Sequence, residues 1–75
     1  MRLFVRNAKR YVDMPLLAKA LVDYRLRNQL TQSELAVIMN YTQDNISEIE
    51  TGRKNNIANS TIRKLEHLGI EINYM

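Results

Sequence analysis

Seventy-five residues are expected to make one domain, whose single core is small for its surface and would gain from a second subunit. With no cysteine, and with His67 as the only histidine, neither disulfides nor a zinc site can brace it, so no metal or cofactor is expected and ordinary apolar packing must hold the fold. No apolar run approaches the roughly 20 residues of a membrane helix, and the N-terminus lacks the apolar stretch and cleavage site of a signal peptide, so a cytoplasmic protein with no membrane partner is expected.

The net charge of +3 favours an anionic partner, but its distribution is uneven. Residues 1–27 hold seven basic side chains against Asp13 and Asp23. Residues 28–52 hold only the acids Glu34, Asp44, Glu48 and Glu50, and residues 53–75 return to a net +2.

Met1 to Val12 mixes Leu3, Phe4, Val5, Tyr11 and Val12 with Arg2, Arg6, Lys9 and Arg10 and shows no helical period. Residues 1–13 read as a basic arm, a short strand or a solvated tail. Asp13 offers a helix N-cap with Pro15 in the first turn, and Met14, Leu17, Leu21 and Tyr24 recur at helical spacing, which predicts a first helix from Met14 to Asn28. Thr31 and Glu34 have the spacing of a capping box, opening a second helix with Leu35, Ala36 and Met39 inward and a stop at Asn40. After a tight turn at Asn40-Tyr41, Thr42 caps a short third helix, about Gln43 to Glu50, with Ile46 and Ile49 one turn apart and Gly52 as its stop. Arg53 to Asn59 is polar and rich in asparagine, which suits a loop. Ser60 opens a fourth helix with Ile62, Leu65 and Leu68 inward and Gly69 at its end. Ile70 to Tyr74 then alternates like a half-buried strand, so 14–69 is expected as the folded domain and 70–75 as a strand-like tail.

A capped helix, a turn and a second short capped helix form the helix-turn-helix unit, whose second helix lies in the DNA major groove. The run Leu30-Thr31-Gln32-Ser33-Glu34-Leu35-Ala36, followed by Ile46-Ser47-Glu48-Ile49-Glu50-Thr51-Gly52-Arg53-Lys54, resembles the Cro/phage-repressor helix-turn-helix family, whose members typically read LTQxxLA and then ISxxExGxR. The likeness spans about Leu21 to Leu68. It implies an all-α, lambda-repressor-like domain of about four helices, with a possible short C-terminal strand, that binds double-stranded DNA and regulates transcription. The layout is also similar to that of short DNA-binding antitoxins, which often dimerise through an apolar tail. The chain departs from the family at Gln29, where a helix-ending glycine is usual, at Asn40 in the turn, and at Asn56 in place of a frequent proline. Glutamine and asparagine are expected to cost little there.

The resemblance implies that Gln32 donates to a phosphate beside the start of helix two. It puts Thr42, Gln43, Asp44, Asn45, Ser47 and Glu48 on the DNA-facing side of helix three, and Arg53, Lys54, Asn55 and Asn56 on the backbone. Gln43 suits bidentate recognition of adenine, whereas Asp44 and Glu48 can only accept hydrogen bonds and would prefer the amino group of cytosine. Asp44 reads equally as a residue favoured by the helix dipole, and Glu48 as part of a solvated face. The family's pairing between helix one and the end of helix three falls on Arg25 and Glu50, as a structural ion pair. A homodimer would read a palindromic operator with its third helices roughly 34 Å apart. Its expected surface is Leu68, Ile70, Ile72 and Tyr74, paired as a two-stranded ribbon.

No nucleophile–base pair, metal set or phosphate-cradling glycine loop stands in the sequence, so no enzyme is expected. The rival reading is protein binding, in which the acidic third helix meets a basic surface of another repressor or a toxin and the chain acts as an antirepressor or modulator.

Overall fold

Side-chain hydrogen bonds set where the first three helices begin, and the computed structural model describes residues 11–75. The expected arm or strand over 1–13 therefore lies, up to residue 10, outside the described residues. Helix α1 is Met14–Arg27. The Asp13 carboxylate accepts from the Leu16 amide at 3.2 Å, and Pro15 sits in the first turn, where its missing N–H costs nothing. Helix α2, Gln32–Met39, starts from a complete capping box, with the Glu34 amide on the Thr31 hydroxyl at 3.1 Å and the Thr31 amide on the Glu34 carboxylate at 2.8 Å. Helix α3, Gln43–Glu50, repeats this device with Thr42 and Asn45.

Helix α4, Asn59–His67, starts ahead of the expected opening at Ser60, with Ala58 in the cap position and no side-chain bond there. Thr61 is buried and, with Leu65 one turn later, faces the core.

All four helices end in the same way. One or two residues past the last helical one the backbone turns left-handed, with φ of 57° at Gln29, 58° at Asn40, 81° at Gly52 and 86° at Gly69. The next amide then reaches back five residues, from Leu30 to the Arg25 carbonyl at 2.8 Å, Tyr41 to Ala36 at 2.8 Å, Arg53 to Glu48 at 2.9 Å and Ile70 to Leu65 at 3.1 Å. Leu30, Tyr41 and Ile70 turn back against the core. Asparagine tolerates this conformation, but glutamine has no such local advantage, and Gln29 costs the fold on the order of 1 kcal/mol relative to glycine. The expectation that glutamine is cheap at this position is thereby corrected.

The apolar stripes converge on α3, which packs against both α1 and α2. Ile46 and Ile49 are 0% and 1% exposed, and Leu17, Leu21, Leu35, Met39 and Leu65 complete the cluster around them. Burying each such side chain contributes about 1.5–3 kcal/mol. Ile62 and Leu68, expected to line the inner face of α4, are half-buried at its edge.

The tail over 70–75 forms no strand among the described residues. It makes a single antiparallel bridge between Val12 and Tyr74, flanked by the Asp13 amide on the Asn73 carbonyl and the Met75 amide on the Tyr11 carbonyl, both at 2.8 Å. Toward α1 the pairing stops at Asp13, which caps that helix. These bonds are made within one chain. Leu68, Ile70, Ile72 and Tyr74 do not present one exposed face either: Ile70 belongs to the core, Leu68 and Ile72 pack half-buried beside it, and Tyr74 alone is exposed. No helix of the described residues is long and apolar enough to cross a membrane.

Candidate nucleic-acid interface

Asn40, Tyr41 and Thr42 are the only residues between α2 and α3, and α4 holds this turn from behind. The Lys64 ammonium donates to the Met39 carbonyl at 2.9 Å and lies 4.5 Å over the Tyr41 ring. The Tyr41 hydroxyl bonds the buried hydroxyl of Thr61. The turn that sets the placement of α3 on α2 is therefore fixed by a positive charge at the end of α2, where the helix dipole favours it, and by a buried hydroxyl pair. Tyr41, Thr61 and Lys64 were not among the sequence-based site residues. Their meeting depends on how α4 packs, which no spacing along the chain encodes.

Gln43 and Asp44 stand exposed in the first turn of α3, with Ser47 and Glu48 half-buried one turn on. Asp44 lies where the N-terminal dipole favours a carboxylate. The Asn45 side-chain oxygen accepts from the amide and the hydroxyl of Thr42, at 3.3 and 3.0 Å, so this side chain is tied to its own helix start. The Glu48 carboxylate lies 3.8 Å from the Lys54 ammonium, both side chains being more than a third exposed. Solvent screens such a pair to a small contribution. Arg53, Asn55 and Asn56 are exposed on the loop after α3, whose start is anchored by the Arg53 and Lys54 amides on the Glu48 carbonyl at 2.9 and 3.2 Å.

Beneath this surface lies a chain of polar side chains. Arg25 meets Glu50 by two bonds, Nε to Oε2 at 2.9 Å and Nη2 to Oε1 at 3.1 Å, and its Nη1 donates to the Leu30 carbonyl at 3.2 Å. Glu50 keeps only 5% of its side chain exposed and Arg25 18%. Hydrogen bonding to Glu50 raises the Arg25 guanidinium above its ordinary value, so it is charged at every working pH. The Gln32 amide group donates to Glu50 Oε1 at 2.9 Å, its oxygen accepts from Gln43 Nε2 at 3.4 Å, and the Gln43 oxygen accepts from the Ser33 hydroxyl at 3.0 Å. Gln32, expected to donate to a phosphate, here bridges the ion pair and the exposed tip of Gln43.

These bonds change the reading of the acidic middle segment. Glu50 is answered by Arg25, Glu48 lies beside Lys54 and Glu34 closes the α2 capping box, so that Glu34 and Asp44 are the exposed acids of the segment that have no ion pair among the described residues.

Residues 21–72 match the helix-turn-helix family, of Cro/phage-repressor type, and the chain belongs to it. None of the curated proteins and none of the solved structures compared with the chain matches it. Membership makes the chain a DNA-binding protein of the transcription-regulator class, and the family is not enzymatic.

Proposed function

We propose that the chain is a repressor that occupies a palindromic operator as a homodimer and reads bases with α3. The observation that carries this reading is the position of Gln43, exposed in the first turn of α3 with its amide held by Ser33 and Gln32. Held in this way, the side chain loses little entropy when it meets an adenine edge. Asp44 and Glu48 accept from cytosine amino groups, Ser47 completes the face, and Arg53, Lys54, Asn55 and Asn56 meet the backbone, with Lys54 exchanging Glu48 for a phosphate.

Charge supports a role for the N-terminal stretch as well. Residues 11–75 carry seven basic against eight acidic side chains, so the basic excess of the chain resides in Arg2, Arg6, Lys9 and Arg10. The stretch 1–10 acts as a basic arm on DNA. For the second copy, the tail offers the exposed Tyr74 with the half-buried Leu68 and Ile72, because Ile70 belongs to its own core. The burial of Glu50 against Arg25 withdraws one acid from the helix face that a protein-binding modulator would use, and so counts against that reading.

The test is a titration into DNA from the protein's own promoter region and into unrelated DNA, at low and moderate salt. Tight, salt-sensitive binding that prefers the promoter is expected. Indifference to both DNAs, with a stoichiometric complex formed on a repressor or toxin, would transfer the function to the modulator reading, whereas an antitoxin would do both.

A further inference from the structure

We infer that the Arg25–Glu50 ion pair fixes, through Gln32, which way round the Gln43 amide faces, and so makes Gln43 select adenine over guanine. The inference rests on the reading of α3 as the base-reading helix.

A side-chain amide has a donor end and an acceptor end of nearly equal size, and nothing in its shape decides which end faces which neighbour. Here the choice is forced from one end of the chain. The Glu50 carboxylate, ionised against Arg25, can only accept, so Gln32 must turn its NH2 toward it, as the 2.9 Å contact shows. That leaves the Gln32 oxygen toward Gln43, which must then offer its own NH2. The Gln43 oxygen is left facing Ser33, whose rotatable hydroxyl supplies the hydrogen. Reversing Gln43 alone would set two oxygens against each other. Reversing Gln32 as well would set its oxygen against a carboxylate that is almost wholly buried, where such repulsion is strong.

Each bond of this chain uses one of the two hydrogens on Gln43 Nε2 and one of the two lone pairs on its oxygen. One donor and one acceptor remain, side by side and in fixed order. Adenine offers an acceptor at N7 beside a donor at N6 and fits this order, whereas guanine offers acceptors at both N7 and O6. An amide free to turn could swing its NH2 toward guanine. One held in this sense meets guanine O6 with its own oxygen.

Glu50 and Gln32 are thus positioning residues, acting at a base that neither has to touch. The experiment compares the protein with Glu50→Gln, Gln32→Met and Gln43→Ala, each carried through selection from one pool of randomised duplex DNA. Gln43→Ala identifies the base position that Gln43 reads. Glu50→Gln replaces an acceptor-only group by one that can donate, and Gln32→Met removes the link while leaving the ion pair intact. Both are expected to lower the preference for adenine over guanine at that position by roughly fivefold or more, with the other positions unchanged. Should Glu50→Gln fail to fold, Gln32→Met at its partly exposed site decides alone. An unchanged adenine preference in a folded variant would overturn the inference while leaving the DNA-reading function intact, and so would uniform weakening at every position, the mark of a purely structural role. If the unaltered protein enriches no sequence, the reading of α3 falls and this inference with it.

Discussion

The Lys64 ammonium sits 2.9 Å from the Met39 carbonyl, which ties the last residue of α2 to a helix that begins twenty residues later in the chain. The same ammonium covers the Tyr41 ring, so one side chain secures both the end of α2 and the turn that follows. Lys64→Met keeps the stem and removes the charge. It is expected to lower stability by about 1–2 kcal/mol, from one charge-assisted hydrogen bond and one cation–π contact, measured by urea unfolding. A variant as stable as the parent would show that the contact is not maintained in solution.

Gln29 and Asn40 occupy equivalent left-handed positions, at φ 57° and 58°, with different side chains. Gln29→Gly is expected to stabilise the protein by about 0.5–1 kcal/mol, the relief of left-handed strain exceeding the added freedom of the unfolded glycine. Asn40→Gly is expected to change stability by less than about 0.5 kcal/mol, because asparagine already tolerates this conformation. Thermal unfolding of the two variants side by side would check the contrast.

Arg25→Ala strands Glu50, whose side chain is 5% exposed, with only the Gln32 amide as a partner. A loss of about 3 kcal/mol is expected. The Arg25 value is raised in the folded protein, so its stabilisation is complete at any pH below its ordinary value and fades only as pH climbs through the raised one. The difference between parent and Arg25→Ala attributable to arginine ionisation should therefore stay flat from neutral to mildly alkaline pH, as followed by denaturant titration.

Replacing Arg2, Arg6, Lys9 and Arg10 together by glutamine tests the basic arm. If all four neutralise phosphates, the slope of log K against log salt should flatten by about 3 to 4. An unchanged slope would make the stretch a solvated tail.

The helices were legible in the sequence because their signals are local. Asp13, Thr31 and Thr42 cap within three residues, and Asn40, Gly52 and Gly69 punctuate the ends. The inner face of α4 was misread because a buried threonine, Thr61, looks polar in a pattern read for apolar residues, while Ile62 and Leu68 lie at its edge. The tail alternates as a strand should, yet alternation says nothing of which partner it pairs with, and here the partner is Val12 of the same chain. At the site, family likeness pointed to Arg25 with Glu50 and to Gln32 and Gln43 separately. Their union into one chain, with Ser33 at its end, depends on the distance between the starts of α2 and α3, which exists only after packing.

The central claim, that α3 reads bases while the loop behind it grips the backbone, is tested most directly by titrating Gln43→Ala and Lys54→Ala into promoter and unrelated DNA over a range of salt. Gln43→Ala should lose about 1–3 kcal/mol on the promoter and almost nothing on unrelated DNA, while Lys54→Ala should weaken both alike and flatten the salt slope by about 1. Equal losses on both DNAs for both variants would contradict the assignment.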